Sequence, residues 1–178
     1  ITINFAPVVD VAKEFNSSII AKRERSFGSS SDLVYRHAKA YLRGLQSEGI
    51  WGCCKHFPGH GSATGDTHAG FVDVTDTWQE DELLPYSALI KDGLCSIIMT
   101  AHVIHRKFDA MHPATISKYI IPKLLRKKMG FNGLVITDDM QMKAISDHYG
   151  IKEALKMGLN AGVDMFCFGN NLLPNPAK

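Results

Sequence analysis

The sequence predicts an α/β fold of the (β/α)8-barrel type, held only in part by this chain. Three observations lead there. Apolar strand-like runs alternate with helical patterns along the 178 residues. Most of those runs are apolar at successive positions, which suits parallel strands covered on both faces. Asp10, His56, His102 and Asp138 each fall at the end of a different run, so polar groups from several strand ends would meet on one rim, as in a barrel. No G-x-G-x-x-G follows any run, which weighs against a dinucleotide-binding doubly wound sheet.

Strands are expected at 3–11, 50–56, 95–102, 134–137 and 163–168, five in all, where a complete barrel needs eight. A helix over 32–46 places Leu33, His37, Tyr41, Leu42 and Leu45 on one stripe, and Gly49 ends it. The next, over 79–91, has Glu80, Asp81 and Glu82 in its first turn, complementing the helix dipole, with Gly93 behind. Ser117 opens a helix over 117–128 that closes at Gly130. The last, 152–160, stops at Gly162. No linker or low-complexity segment interrupts the series, so residues 1–178 read as one domain.

Composition narrows the function classes. At 45% hydrophobic and 21% charged, with a net charge of +2, the chain is an ordinary globular sequence with no electrostatic case for nucleic acid. The Arg126-Lys127-Lys128 cluster reads as cations at a helix C-terminus. No apolar run is long enough for a membrane span, and no secretory signal opens the chain, which begins without Met. Cys53, Cys54, Cys95 and Cys167 lie in apolar runs without zinc-type spacing; buried reduced thiols of this kind favour a cytoplasmic setting.

Two segments carry chemistry. Lys55-His56-Phe57-Pro58-Gly59-His60-Gly61, with Asp66-Thr67-His68 behind it, crowds a cation, three histidines and a carboxylate after a buried strand. Its glycines and proline cannot extend a regular element, so these groups gather at a site rather than along a strand. In the second, Gly133-Leu134-Val135-Ile136-Thr137-Asp138-Asp139, an apolar strand ends in two carboxylates that extended geometry points to opposite sides. One can face the barrel axis; equally, both can cap the next helix, Asp139 being the natural N-cap. An isolated Asp-x-His is as easily a solvated loop as a catalytic pair. His56, His60, Asp66 and His68 could also supply zinc ligands, although the Lys55 ammonium would repel the cation.

The pattern K-H-F-P-G-H-G-x4-D-[ST]-H resembles the signature of the family 3 glycoside hydrolases, in their bacterial, NagZ-like β-N-acetylglucosaminidase branch. The resemblance spans essentially the whole chain. It implies a TIM-barrel catalytic domain, 1–178, truncated at both ends and holding about strands 3 to 7. It further implies Asp138 as nucleophile and His68 as acid/base with Asp66 as its partner. Arg25, Lys55 and His56 would bind the sugar in the −1 subsite, and His60 would support the loop. The activity implied is a retaining β-N-acetylglucosaminidase acting on cell-wall fragments or chitooligosaccharides, as in peptidoglycan recycling, with no cofactor or metal. Phosphorolysis in place of hydrolysis, and an inactive carbohydrate-binding barrel fragment, stay open beside it. The partner is a carbohydrate ending in N-acetylglucosamine, with no nucleic acid and no membrane, and open barrel edges are expected to invite self-association. Departures from the pattern are small. Ser62 stands where many relatives carry Asp, the dyad reads D-T-H where D-S-H is common, and the stretch after it lacks the usual proline.

Overall fold

In a computed structural model, residues 1–13 and 18–169 are described. Among these residues lie seven strands: β1 (Ile3–Asn4), β2 (Trp51–Phe57), β3 (Val72–Asp73), β4 (Ile97–Thr100), β5 (Val103–Ile104), β6 (Leu134–Asp139) and β7 (Met165–Cys167). Between them run α1 (Ile19–Lys22), α2 (Ser31–Ser47), α3 (Leu84–Lys91), α4 (Lys143–Ser146) and α5 (Ile151–Ala161), with a π-helix at Ile120–Lys128 and 3-10 turns at Glu80–Leu83 and Ala114–Ile116.

Five strands form one parallel sheet in the order β1-β2-β4-β6-β7. The order follows the chain without reversal, the wrapping of a barrel wall rather than of a doubly wound sheet. This is a half-barrel. Alternation along the strands sorts the side chains. Cys53, Ile97, Met99 and Ile136 cluster on the concave side with Ile3, Leu134 and Cys167. Cys54, Ile98 and Val135 face outward and join the main core with Val34, Ala38, Leu42, Leu89, Leu124 and Leu125. Asp138 has the parity of Leu134 and Ile136, so the sheet aims it inward. The expected barrel, incomplete in this chain, is the fold observed.

Several elements differ locally from the sequence reading. Regular pairing in the 3–11 run stops after Asn4, because Pro7 has no N–H to give the ladder. The chain still runs beside β2 through Cys53 N to Ala6 O (2.8 Å) and Val9 N to Lys55 O (2.7 Å). On α2 the buried row is Val34, Ala38 and Leu42, while His37 and Tyr41 lie on the exposed side. Small Ala38 lets that row approach the sheet, whereas the bulky stripe mixes rings that keep a polar tip in water. The 79–91 helix divides into a 3-10 turn and α3, and the 117–128 helix starts at Ile120 with i+5 bonds such as Leu124 N to Tyr119 O (3.2 Å). Ser117 caps it, its hydroxyl accepting from the Tyr119 and Ile120 amides (both 3.1 Å). Among the described residues no helix is long and apolar enough to cross a membrane.

Candidate active site

The strand ends converge on a buried carboxylate. Asp10 is fully buried just past the Val8 bridge to Lys55. Its Oδ1 accepts from the His56 amide (3.1 Å) and the His60 amide (2.8 Å), while Oδ2 faces His56 Nδ1 (2.7 Å). One side chain thus ties the end of β2 to the first turn of the loop that follows it. Burial would raise the Asp10 pKa, but the facing His56 and His60 lower it more, and the carboxyl sits below its ordinary value. On the far side of the His56 ring, Arg25 Nη2 lies 3.2 Å from Nε2. Arginine can only donate, so Nε2 accepts and the ring proton sits on Nδ1, pointing at Asp10.

Asp138, next to last in β6, lies beside this ring. Its Oδ1 accepts from the Asp139 amide (2.8 Å), and its Oδ2 is 4.0 Å from His56 Nε2. Burial acts to raise its pKa; His56, His102, the Asp139 amide and Lys55 together outweigh that, and the carboxyl is held below the usual value. The charge facing the pocket at neutral pH is therefore a carboxylate. His102, also buried, presents Nε2 to the Asp139 carbonyl (3.0 Å) and Nδ1 to Thr115 Oγ1 (2.8 Å). A carbonyl only accepts, so Nε2 carries the proton, and burial lowers the ring's pKa toward the neutral form.

The loop after Gly61 brings the dyad over this floor. His68 Nδ1 lies 2.7 Å from Asp66 Oδ1, which also accepts from the His68 amide (3.0 Å). With an acceptor-only carboxylate on Nδ1, Nε2 is the nitrogen left to exchange a proton with a ligand. The Thr67 carbonyl accepts from Ala144 N (3.2 Å) at the start of α4, and the loop leaves through β3, which pairs in parallel with β5 behind β4. Phe71 stacks on His148 with ring centroids 3.6 Å apart.

A partly open pocket lies between these parts, lined by Ile19, Ile20, Arg23, Arg25, His56, His60, Asp66, Thr67, His68 and Asp138. Of the six residues expected from sequence, the structure brings five to one wall: Arg25, His56, Asp66, His68 and Asp138. Lys55 is partly buried and is not among the lining residues; burial and then the Arg25 charge lower its pKa, with Asp138 opposing. His60 supports the loop, as expected, through Asp10 and a 3.4 Å contact from Nε2 to Thr67 Oγ1, and it also lines the pocket. Asp139 does not cap α4. Its Oδ1 accepts from Gln141 N (2.9 Å), closing a tight turn, and Met142 takes the N-cap position. Among the described residues no three His, Cys, Asp or Glu are placed to hold a metal ion.

Sequence reasoning missed three contributors. The run N-F-A-P-V-V-D places Asp10 at a strand end on the rim, but gives no sign that it anchors His56 and His60. The short α1, which brings Ile19, Ile20 and Arg23 to the pocket, lacks the length for a periodic signal. Nor did two-residue β3 and β5 leave a pattern to read.

Comparison with known proteins agrees on one family. The model of the glycosyl hydrolase family 3 N-terminal domain matches residues 1–174. A beta-hexosaminidase of Tolumonas auensis is 38% identical over 174 residues, covering 96% of this chain and 51% of that protein. Beta-hexosaminidase LpqI of Mycobacterium tuberculosis is 39% identical over 173 residues, covering 93% and 44%. The solved structure of a glycoside hydrolase family 3 beta-N-acetylglucosaminidase from Paenibacillus sp. superposes with a TM-score of 0.88 at 35% identity, over 94% of this chain and 32% of that one. The chain spans about half the length of the curated relatives it matches.

Proposed function

The chain belongs to glycosyl hydrolase family 3, as its N-terminal domain, and we propose that it provides the catalytic groups of a retaining β-N-acetylglucosaminidase. The observation that carries this reading is one pocket holding an ionised strand-end carboxylate, Asp138, and a carboxylate-paired imidazole, His68. In the first step Asp138 attacks the anomeric carbon and the glycosidic bond breaks. His68, protonated on both nitrogens, gives its Nε2 proton to the departing oxygen, and Asp66 on Nδ1 stabilises the imidazolium while it lasts. A covalent glycosyl-Asp138 ester remains. Neutral His68 then takes a proton from water, which attacks the same carbon and returns the carboxylate, so configuration is retained. Arg25, His56 and Lys55 would hold the hydroxyls and the N-acetyl group by charge-assisted bonds.

Phosphate is the alternative acceptor for the second step. The lining is compatible with it: Arg23 and Arg25 balance the two carboxylates of the pocket, and a neutral imidazole in place of a carboxylate acid/base does not repel an entering anion. The test is turnover of 4-nitrophenyl N-acetyl-β-glucosaminide by the full-length protein, with and without phosphate, followed by trapping with a fluoroglycoside inactivator. Expected are release of 4-nitrophenol and a label on Asp138. A label on Asp139, or no turnover in either buffer, overturns the assignment.

A further inference from the structure

Asp66 turns one oxygen to His68 and the other to Arg23, which precedes the Arg25 assigned to the sugar. Arg23 Nη2 lies 2.8 Å from Asp66 Oδ2, while Oδ1 holds both the amide and Nδ1 of His68. We propose that Arg23 is a positioning residue for the acid/base: it fixes the plane of the Asp66 carboxylate and thereby the direction of the His68 ring. This rests on the role assigned to His68 above.

The turn that carries Arg23 is well anchored. Ser18 caps α1 by accepting from the Ala21 amide (3.3 Å), Ile19 N donates to Ala63 O (3.1 Å), and Ile20 and Ala21 are buried. The dyad loop has less to hold it. Besides Arg23, Thr67 meets His60 and Ala144, but those contacts fix the loop backbone and the Thr67 hydroxyl, so that within the loop the Asp66 carboxylate is oriented by His68, the residue it must itself orient. Among the described residues, the Arg23 contact is the one hydrogen bond to that carboxylate from outside the loop. It also adds to the charges keeping Asp66 ionised: burial opposes ionisation, the His68 amide and ring outweigh it, and Arg23 contributes in the same direction. The pair is partly exposed, 59% for Arg23 and 23% for Asp66, so its effect on rate is limited to about fivefold.

The experiment compares Arg23→Ala, Arg23→Lys and Arg23→Glu in the full-length protein on an alkyl and an activated aryl N-acetylglucosaminide. Arg23→Ala should lower kcat on the alkyl substrate by up to about fivefold with KM little changed, and leave the aryl substrate nearly untouched, since it needs little protonation. Arg23→Lys should recover most of the loss and Arg23→Glu deepen it. Equal losses on both substrates, or none, overturn the proposal. An inactive wild type would instead overturn the hydrolase reading; hydrogen exchange at the His68 amide then decides alone. Faster exchange in Arg23→Ala, restored by Arg23→Lys, supports the tether, and unchanged exchange overturns it.

Discussion

Asp10 shows how much one buried side chain can hold. It accepts three hydrogen bonds from residues 46 and 50 positions away, with no exposed surface of its own. Asp10→Ala would leave those donors unpaired in the interior, at a cost of roughly 3–5 kcal/mol read from the urea midpoint at constant m. The pH dependence follows from its lowered pKa. Its stabilisation is complete above about 3.8, the ordinary value, and is lost as pH falls through the folded value, so the gap between wild type and variant should close below that pH. Across the His56 ring, Asp138→Ala should reduce turnover by several orders of magnitude, since among the described residues no other carboxylate of the pocket lies on a strand beside His56. These two aspartates were not equally legible. Asp138 stands in an unbroken apolar run whose parity fixes its direction, whereas the pairing of Asp10 with His56, and of Arg23 with Asp66, joins residues more than 40 positions apart. Nothing in local sequence records such a pair.

Among the elements, the 3-10 turn before α3 carries a stored acid. Glu82 is fully buried; its Oε1 accepts from the Gln79 amide in a capping box while Oε2 makes no hydrogen bond. Burial pushes its pKa up to about 7, with the nearby Ser62 hydroxyl offsetting only part. The folded state therefore holds this proton more tightly than the unfolded chain, and stability contributed below about 4.5 is lost as pH rises through about 7. Glu82→Gln keeps the cap, so its stability relative to wild type should improve between pH 5 and pH 8, by up to about 3 kcal/mol in thermal melts. A flat difference would show that Glu82 titrates normally. The loop after β2 is confined as tightly. A Cβ on Gly61 would meet the Val11 carbonyl oxygen at 2.1 Å, a backbone atom that cannot step aside. Gly61→Ala should cost about 3 kcal/mol. Gly44→Ala, in open space on α2, should instead stabilise by about 0.5–1 kcal/mol. The long elements were legible because 3.6- and 2-residue periods accumulate over many positions. The burial row of α2 was not, since apolar size and facing direction part company at Tyr41 and Ala38.

Across the whole molecule, the wall of a barrel is present without its closure. Among the described residues β1 and β7 each pair on one side only, and the concave cluster around Ile97, Met99 and Ile136 has no facing sheet. Residues 1–178 expressed alone should associate through these edges and show no glycosidase activity, as judged by size-exclusion chromatography with light scattering and by the chromogenic assay. An active, monodisperse monomer would contradict this while leaving the catalytic residues where they are. The strand count was readable from five apolar runs; the β3–β5 clasp was not, because two residues carry no period. Asp10 gains another meaning when the chain is followed as it is made. A ribosome delivers it before α2, and the histidines that will receive its charge emerge dozens of residues later. Until then the nascent chain must keep an ionised group in water at a point destined for the interior. The rim that would handle sugar is thus assembled late, and a stalled chain ending before residue 56 carries an acid with nothing to meet it.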